Sequence, residues 1–327
     1  MRLLISEFIT GGGLVHDPLP DSLKQEGLMM LKALVRDCSK IPDLHITVTL
    51  DKRLSLPVKD VQIVCLDSSH DYSNTLQQLA DQHHHTWIIA PETDNILSSL
   101  VSMLARHNVS LLNSDSSSVE LCSDKAACDQ HLRAAGLAVV PSLSIDQLQS
   151  FHHPVILKRR LGAGCEGMLK LESGPAALTH IKHALGDFAE CYLQPYISGA
   201  HKSLSLLCLD GHTKILSCNT QTINFNHPVM LTSCLTNGSE ITTQMQQLAN
   251  DIALALPGLR LYVGVDFIET ENCLYVVDVN PRLTSSYVGL SQCLSDNPAQ
   301  LCINTHLDNV LPEYINRLTT TAEVKIA

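Results

Sequence analysis

Short apolar runs alternate with amphipathic stretches through the first third of the chain, and this alternation constrains the fold more than any other feature. Leu3 to Ile9 is an apolar run that ends at Gly11-Gly12-Gly13. Farther on, Leu31, Leu34, Val35 and Cys38 fall at the i, i+3, i+4, i+7 spacing of one helix face. Ile46 to Leu50, Val61 to Leu66 and Trp87 to Ala90 have the length and apolar content of strands, with a helix expected over Thr93 to Arg106. Strands that alternate with helices imply a parallel sheet covered on its faces. The polar run Asn113-Ser114-Asp115-Ser116-Ser117-Ser118 ends this unit, so an N-terminal α/β domain is expected over residues 1–114.

Beyond it the pattern changes. Ser123-Asp124-Lys125 opens a helix that Gly136 closes, and Pro154 to Lys158 is a strand entering a glycine-rich turn. Leu204, Leu206 and Cys208 alternate with serines, and Asp210-Gly211 then turns the chain into Lys214 to Cys218; Asp-Gly between alternating runs is a strong hairpin signal. A helix carries Ile241, Met245, Leu248 and Ile252 on one stripe, and strands follow over Tyr262 to Glu269 and Cys273 to Val279. Antiparallel pairs with helices make this part α+β. A central subdomain is expected over 115–190 and a C-terminal subdomain over 191–327, with a nucleotide cleft between unlike domains.

Composition excludes several functions. Hydrophobic residues are 45% and charged residues 17% of the 327, an ordinary globular balance. The formal net charge of −11 repels a phosphate backbone, and aromatic residues, at 4%, offer little for base stacking, so no nucleic-acid partner is expected. Met1 to Glu7 breaks its apolar run too early for a signal peptide, and no stretch approaches the roughly 20 apolar residues of a membrane span. The twelve cysteines are scattered singly, as at Cys38, Cys65, Cys165 and Cys273, which fits reduced thiols in the cytoplasm. His83-His84-His85 and His152-His153 read as solvated polar patches, because adjacent histidines point apart.

Chemistry concentrates in the second half. Asp278 and Asn280 are two apart on a strand and share a face. A three-residue loop between the last two strands brings Asp266 to that face, and an even-numbered loop turns it away. Two carboxylates and an amide oxygen suit Mg²⁺ shared with substrate phosphates, with Mn²⁺ as a substitute; zinc would call for Cys or His. Lys158, followed by Gly162, Gly164 and Gly167, can lay backbone N–H groups and an ammonium against phosphate, although no Walker sequence is present. Gly11-Gly12-Gly13 does not fit the dinucleotide pattern and reads as a tight turn. Tyr192 to Gly199 is an apolar strand running into a turn, suited to covering a purine.

The order Asp124-Lys125, Gly136-Leu137 to Pro141, Pro154 to Lys158 with its glycines, the 194–197 hinge, then Asp266 and Asp278-Val279-Asn280-Pro281-Arg282 resembles the ATP-grasp superfamily over roughly residues 115–286. The resemblance implies that Lys125 and Lys158 hold ATP phosphates and that Gly162 to Gly167 form the loop over them. It assigns Gln194, Pro195, Tyr196 and Ile197 to the adenine hinge, Asp266, Asp278 and Asn280 to the metal, and Arg282 to the transferring phosphoryl group or the tetrahedral intermediate. Two departures stand out: Asp278 where the family has Glu, and His201 where many members place a ribose-binding Glu. The implied reaction activates a carboxylate as an acyl phosphate, which an amine then attacks.

Glu7 to Gly13, Glu26-Gly27-Leu28-Met29-Met30, Cys218-Asn219-Thr220-Gln221 and Asn280 to Leu290 resemble the tyramine–glutamate ligases of methanofuran biosynthesis more closely. That likeness implies small-molecule substrates, a glutamate γ-carboxylate and tyramine or a similar amine. Glu7 then becomes a candidate for a substrate ammonium, with Asn219 and Gln221 for amide or carboxylate groups. The alternatives are another amino-acid ligase of the D-alanine or pyrrolysine type, an ATP-grasp carboxylase or kinase, and a non-catalytic ATP-binding regulator. Relatives of this kind commonly form homodimers.

Overall fold

The structure is a computed structural model that describes residues 1–162, 164–165, 167–172, 178, 191–226 and 229–326. Strands β1 (Arg2–Glu7), β2 (His45–Asp51), β3 (Val61–Leu66) and β4 (His85–Ile89) form a parallel sheet in the order β3-β2-β1-β4. Helices α1 (Asp21–Cys38) and α2 (Tyr72–Ala80) connect them, and α3 (Ile96–Arg106) follows β4. β1, β2 and β4 are buried on both faces after their first residue, which explains their continuous apolar reading, whereas the edge strand β3 exposes Gln62 and Cys65. Leu3 and Ile5 face α1, and Leu4 faces α2 and α3. The helix expected from Thr93 begins as a 3₁₀ turn and becomes α-helical only at Ile96, because Asp94 and Asn95 both have positive φ (52° and 58°).

Next come α4 (Ser116–Ser123), α5 (Lys125–Ala134) and the short α6 (Ile145–Leu148). Asp124 caps α5 by accepting from the Ala126 and Ala127 N–H groups, and Gly136 closes it at φ +88°. Strands β5 (Val155–Arg159), β6 (Leu169–Leu171) and β7 (Cys191–Pro195) make a small antiparallel sheet, β6-β5-β7. The boundary expected at 190 lies outside the described residues. β7 nevertheless pairs with β5, so this strand belongs to the small sheet and not to the C-terminal subdomain.

The rest of the chain forms β8 (Ala200–Leu209), β9 (His212–Asn224), β10 (Met230–Thr236), α7 (Thr243–Ala255), β11 (Leu261–Glu269), β12 (Leu274–Asn280), α8 (Tyr287–Cys293), α9 (Pro298–Asp308) and β13 (Ala322–Lys325). Its antiparallel sheet runs β12-β11-β8-β9-β10-β13. Asp210 and Gly211 turn β8 into β9 with φ of 48° and 79°, the two left-handed residues that a two-residue hairpin requires. Met245, Leu248 and Ile252 of α7 pack on one sheet face with Leu204, Val263 and Phe267; Ile241 precedes the helix but joins the same core.

The C-terminal segment does not stay within its own subdomain. Tyr287 and Leu290 of α8 and Ala299 and Cys302 of α9 share one core with Leu31, Leu34, Cys38 and Trp87. Among the described residues no helix is long and apolar enough to cross a membrane. Eleven of the twelve cysteines are free, and most of these are buried. Within the expected polar patch His84 is exposed, while His83 and His85 are half-buried: His83 bonds Thr47 and the Leu79 carbonyl, and His85 meets Ser110.

Candidate active site

In an open parallel sheet, ligands bind beyond the carboxyl ends of the strands, where the strand order reverses. Here that point lies between β1 and β4, with Glu7 ending β1 and Glu92 two residues past Ala90. The parallel sheet thus delivers carboxylates towards the face of the antiparallel sheet that carries Asp266, Asp278 and Asn280.

That face depends on an irregularity. Glu269 pairs with Leu274, so the β11–β12 loop has four residues and not the three expected. An even loop alone would set Asp266 opposite residue 277. The register shifts between Asp266 and Phe267, Val277 becomes the extra residue of a bulge, and Asp266 comes to lie directly opposite Asp278. Lys158 Nζ reaches the carbonyl of the bulged Val277 at 3.4 Å. Asp266 accepts from Gln221 Nε2 (2.8 Å) and Asn280 Nδ2 (3.1 Å). Burial first, and then the neighbouring Asp278, push its pKa up to about 6. Two close carboxylates that disfavour each other's charge, backed by the Asn280 amide, fit a hard divalent cation whose other ligands are phosphate oxygens and water. Among the described residues no group of three or more His, Cys, Asp or Glu side chains could hold a metal by itself.

Both expected lysines enter this site. Lys125, in the first turn of α5, is buried and pairs with Asp278. Burial works against its charge, but Asp278, then Glu92 and Asp266, outweigh burial and hold its pKa above the ordinary lysine value. Lys158, at the end of β5, lies 5.5 Å from the Tyr192 ring centroid. Burial and then Lys125 lower its pKa to about 8, so it remains a cation at neutral pH. Gly162, Gly164 and Gly167 follow, and Gly164 and Gly167 occupy left-handed backbone (φ 58° and 66°). Ala163 and Glu166 of this loop lie outside the described residues. Cys165 reaches across to the Leu231 backbone and feels Asp266 and Glu26, which places the loop over the carboxylates. The base of the loop is anchored by Arg160 on Asp124 (2.7 and 2.5 Å) and Arg159 on Asp94 (3.2 Å).

In the segment expected as the hinge, the Gln194 side chain turns inward, donating to Asp129 (3.0 Å) and the Val140 carbonyl (2.9 Å). Tyr196 gives its N–H to the Pro154 carbonyl (2.9 Å) and offers its ring instead. Phe225 meets that ring edge-on at 5.3 Å, and Lys170 Nζ lies 3.7 Å from the Tyr196 centroid. Pro195 and Ile197 flank Tyr196, half-buried. His201 begins β8 beside Phe225 (5.4 Å), and burial lowers its pKa. Its Nε2 is buried without a hydrogen-bond partner among the described residues.

On the substrate side, Arg282 is bound bidentately by Glu92, Nε to Oε1 at 2.8 Å and Nη2 to Oε2 at 2.7 Å. Glu7 does not present its carboxylate to an open cleft. It is 2% exposed, accepts from the Ile9 N–H and from the N–H and hydroxyl of Thr10, and lies against Gly27 of α1. Burial raises its pKa to about 7. Asn219 is also fully engaged, donating to Ser203 and Ser205 and accepting from Ser217 and the Asn237 N–H. Gln221 steadies Asp266. These two side chains therefore organise the site from within the sheet.

Two further carboxylates join the site, neither of them assigned a role there from the sequence. Glu92 stands in a loop with no motif of its own; its only signal is its position past the carboxyl end of a strand. Glu26, on α1, is half-buried, accepts from Ser285 Oγ, and acts electrostatically on Glu7, Arg282 and Cys165. It has no cationic partner in an ion pair among the described residues. Spacing along the chain could not show that it meets Ser285, 259 positions away.

A family model for the ATP-grasp domain matches residues 122–286, about half of the chain, and one for the pre ATP-grasp 3 domain matches 44–119. The chain therefore belongs to the ATP-grasp family, and that membership together with its ligase relatives makes it an ATP-dependent carbon–nitrogen ligase forming ADP. Among its relatives, the tyramine–L-glutamate ligase of Methanocaldococcus jannaschii is 22% identical over 82% of this chain and 79% of its own length. The enzyme of the same name from Methanocaldococcus fervens is 24% identical over 83% and 84%. A solved ATP-grasp superfamily protein from Archaeoglobus fulgidus has the same fold, with a TM-score of 0.71 at 23% identity over 97% of this chain and 91% of that one.

Proposed function

We propose that the chain activates the γ-carboxylate of glutamate with ATP and joins it to tyramine or a closely similar amine. The observation that carries this reading is the buried cluster in which Lys125, Lys158 and Arg282 meet the opposed Asp266–Asp278 pair, beside the Glu26 carboxylate. Its closest support outside the site is the likeness to two tyramine–L-glutamate ligases over more than four-fifths of the chain.

Lys125 and Lys158 draw the ATP phosphates to the sheet face, and the glycine-rich loop covers them and excludes water. Mg²⁺ held by Asp266, Asp278 and Asn280 would neutralise charge on the transferring phosphoryl group. A substrate carboxylate oxygen bonds to the γ-phosphorus and ADP leaves. Arg282 keeps N–H groups for the oxyanion that forms when the amine nitrogen attacks the acyl carbon. Phosphate then departs, the nitrogen loses a proton, and the amide remains. His201 donates to a ribose hydroxyl through one N–H. Glu26, which forms no ion pair among the described residues, attracts the ammonium of the incoming substrate before the amine is deprotonated.

The test is ADP release from ATP and Mg²⁺ with glutamate, with and without tyramine, and mass spectrometry of the product. ADP that requires both and a γ-glutamyl amide product are expected. ADP formation with a different acid or amine would overturn the substrate pair and leave the ligase; ADP formation from bicarbonate without an amine would make the chain a carboxylase.

A further inference from the structure

The connection from β4 to α3 is built around Glu92. Its carboxylate is 3% exposed and grips Arg282 along one edge of the guanidinium, Nε to Oε1 and Nη2 to Oε2. Arg282 Nη1 donates to the Leu283 carbonyl at 3.0 Å. A guanidinium has five N–H bonds in one plane, so these contacts leave one on each terminal nitrogen. An ion pair this deeply buried is a poor device for stability, because desolvation of both charges offsets their attraction.

The loop is also held under strain. Asp94 and Asn95 are consecutive non-glycine residues in left-handed backbone (φ 52° and 58°). Such conformations are uncommon and persist where the surroundings enforce them. Asp94 turns out to Arg159, at the base of the glycine-rich loop, while Glu92 turns in to Arg282. Glu92 also helps hold the charge of Lys125. One strained turn of the parallel sheet thus touches the phosphate loop, a phosphate-side lysine and the arginine expected at the reacting centre.

We propose that Glu92 is a positioning residue for the ligase reaction. It fixes the plane of the Arg282 guanidinium so that the two remaining N–H bonds meet the transferring phosphoryl group or the oxyanion. The parallel sheet thereby contributes to the chemical step through a residue that never touches substrate. This inference rests on the ligase reading above, since Arg282 must face the reacting atoms.

The experiment compares wild type with Glu92→Ala, Glu92→Gln, Arg282→Ala and the Glu92→Ala/Arg282→Ala double variant, with unfolding curves as the control for folding. Wild-type turnover tests the ligase reading separately; if glutamate and tyramine are not its substrates, the pair that supports turnover is used. Glu92→Ala is expected to lower kcat about 100-fold, the scale of losing one preorganised donor group, while KM for ATP moves less than about threefold. Added formate, a carboxylate small enough for the vacated space, should recover about tenfold of the loss. In the Arg282→Ala background, removing Glu92 should cost nothing further, because residues that act as a unit are not additive. If Glu92→Ala does not fold, Glu92→Gln keeps the volume and should show the same kcat loss, since the NH₂ end of its amide is a donor and cannot accept from the guanidinium. The proposal is overturned if removing Glu92 costs the same factor with and without Arg282, or if kcat is unchanged in a folded Glu92 variant. For a chain with no turnover on any pair, the Arg282 Nε–H resonance decides. Its slow exchange should be lost in Glu92→Gln, and retained slow exchange would contradict the positioning role.

Discussion

Glu7 illustrates how a side chain can lie at the right end of the right strand and still be committed elsewhere. Its carboxyl is enclosed by Ile9, Thr10 and Gly27, and the pKa of about 7 arises mainly from burial, with the hydrogen bonds pulling the other way. The sign of the pH effect follows. The unfolded chain releases this proton near the ordinary glutamate value of 4.5, whereas the folded chain holds it to about 7. Between those values the folded state binds more protons, so stability falls as pH rises through that window and levels off above it. A Glu7→Gln variant should lose this component, which amounts to at most about 3 kcal/mol. Denaturant melts across the window should therefore converge towards low pH and separate above neutrality, with the variant the more stable at high pH. Parallel curves would mean that Glu7 titrates normally.

At the scale of elements, the helix that presents Lys125 depends on one cap. Asp124 accepts two backbone N–H groups of α5 and also anchors Arg160, so it fixes both the lysine and the base of the glycine-rich loop. Asp124→Ala should cost about 1 kcal/mol of stability from the lost cap, and it should raise KM for ATP more than it lowers kcat. Equal effects on both constants would indicate a different role. Much of this architecture was legible. Val61 to Leu66 is strand β3 with the expected bounds, and Asp210-Gly211 makes the expected hairpin. The shared face of Asp266 and Asp278 was also expected, but for the wrong reason: a four-residue loop and a bulge at Val277 replace the odd loop. A bulge leaves no mark in a period-two pattern of this length, since Val276, Val277 and Val279 are alike in character. The inward turn of Gln194 was hidden for a related reason. A polar residue before a hinge reads as a ligand contact until Asp129 is known to stand behind it.

At the scale of the whole molecule, the division into domains is a division of sheets but not of cores. Tyr287, Leu290, Ala299 and Cys302 complete the layer over α1 and the parallel sheet, contacts between residues far apart in sequence that no local pattern announces. Residues 1–114 alone would leave that layer uncovered. Trp87, the single tryptophan, sits within it and reports on its integrity. Leu290→Ala should therefore destabilise by about 2–5 kcal/mol and shift the Trp87 fluorescence transition by the full amount, although the substitution lies two hundred residues away in sequence. A fluorescence transition that ignores the change would show that the parallel sheet unfolds independently.

The same continuity brings Glu92 to Arg282 and Glu26 to Ser285, and it makes the active site a product of the whole fold. The most direct test of that site is the fate of oxygen. With glutamate whose γ-carboxylate carries a heavy oxygen isotope, activation as an acyl phosphate predicts one labelled oxygen in the released phosphate for each amide formed. Unlabelled phosphate accompanying amide formation would contradict the acyl-phosphate route and with it the assignment of Arg282 and the lysines.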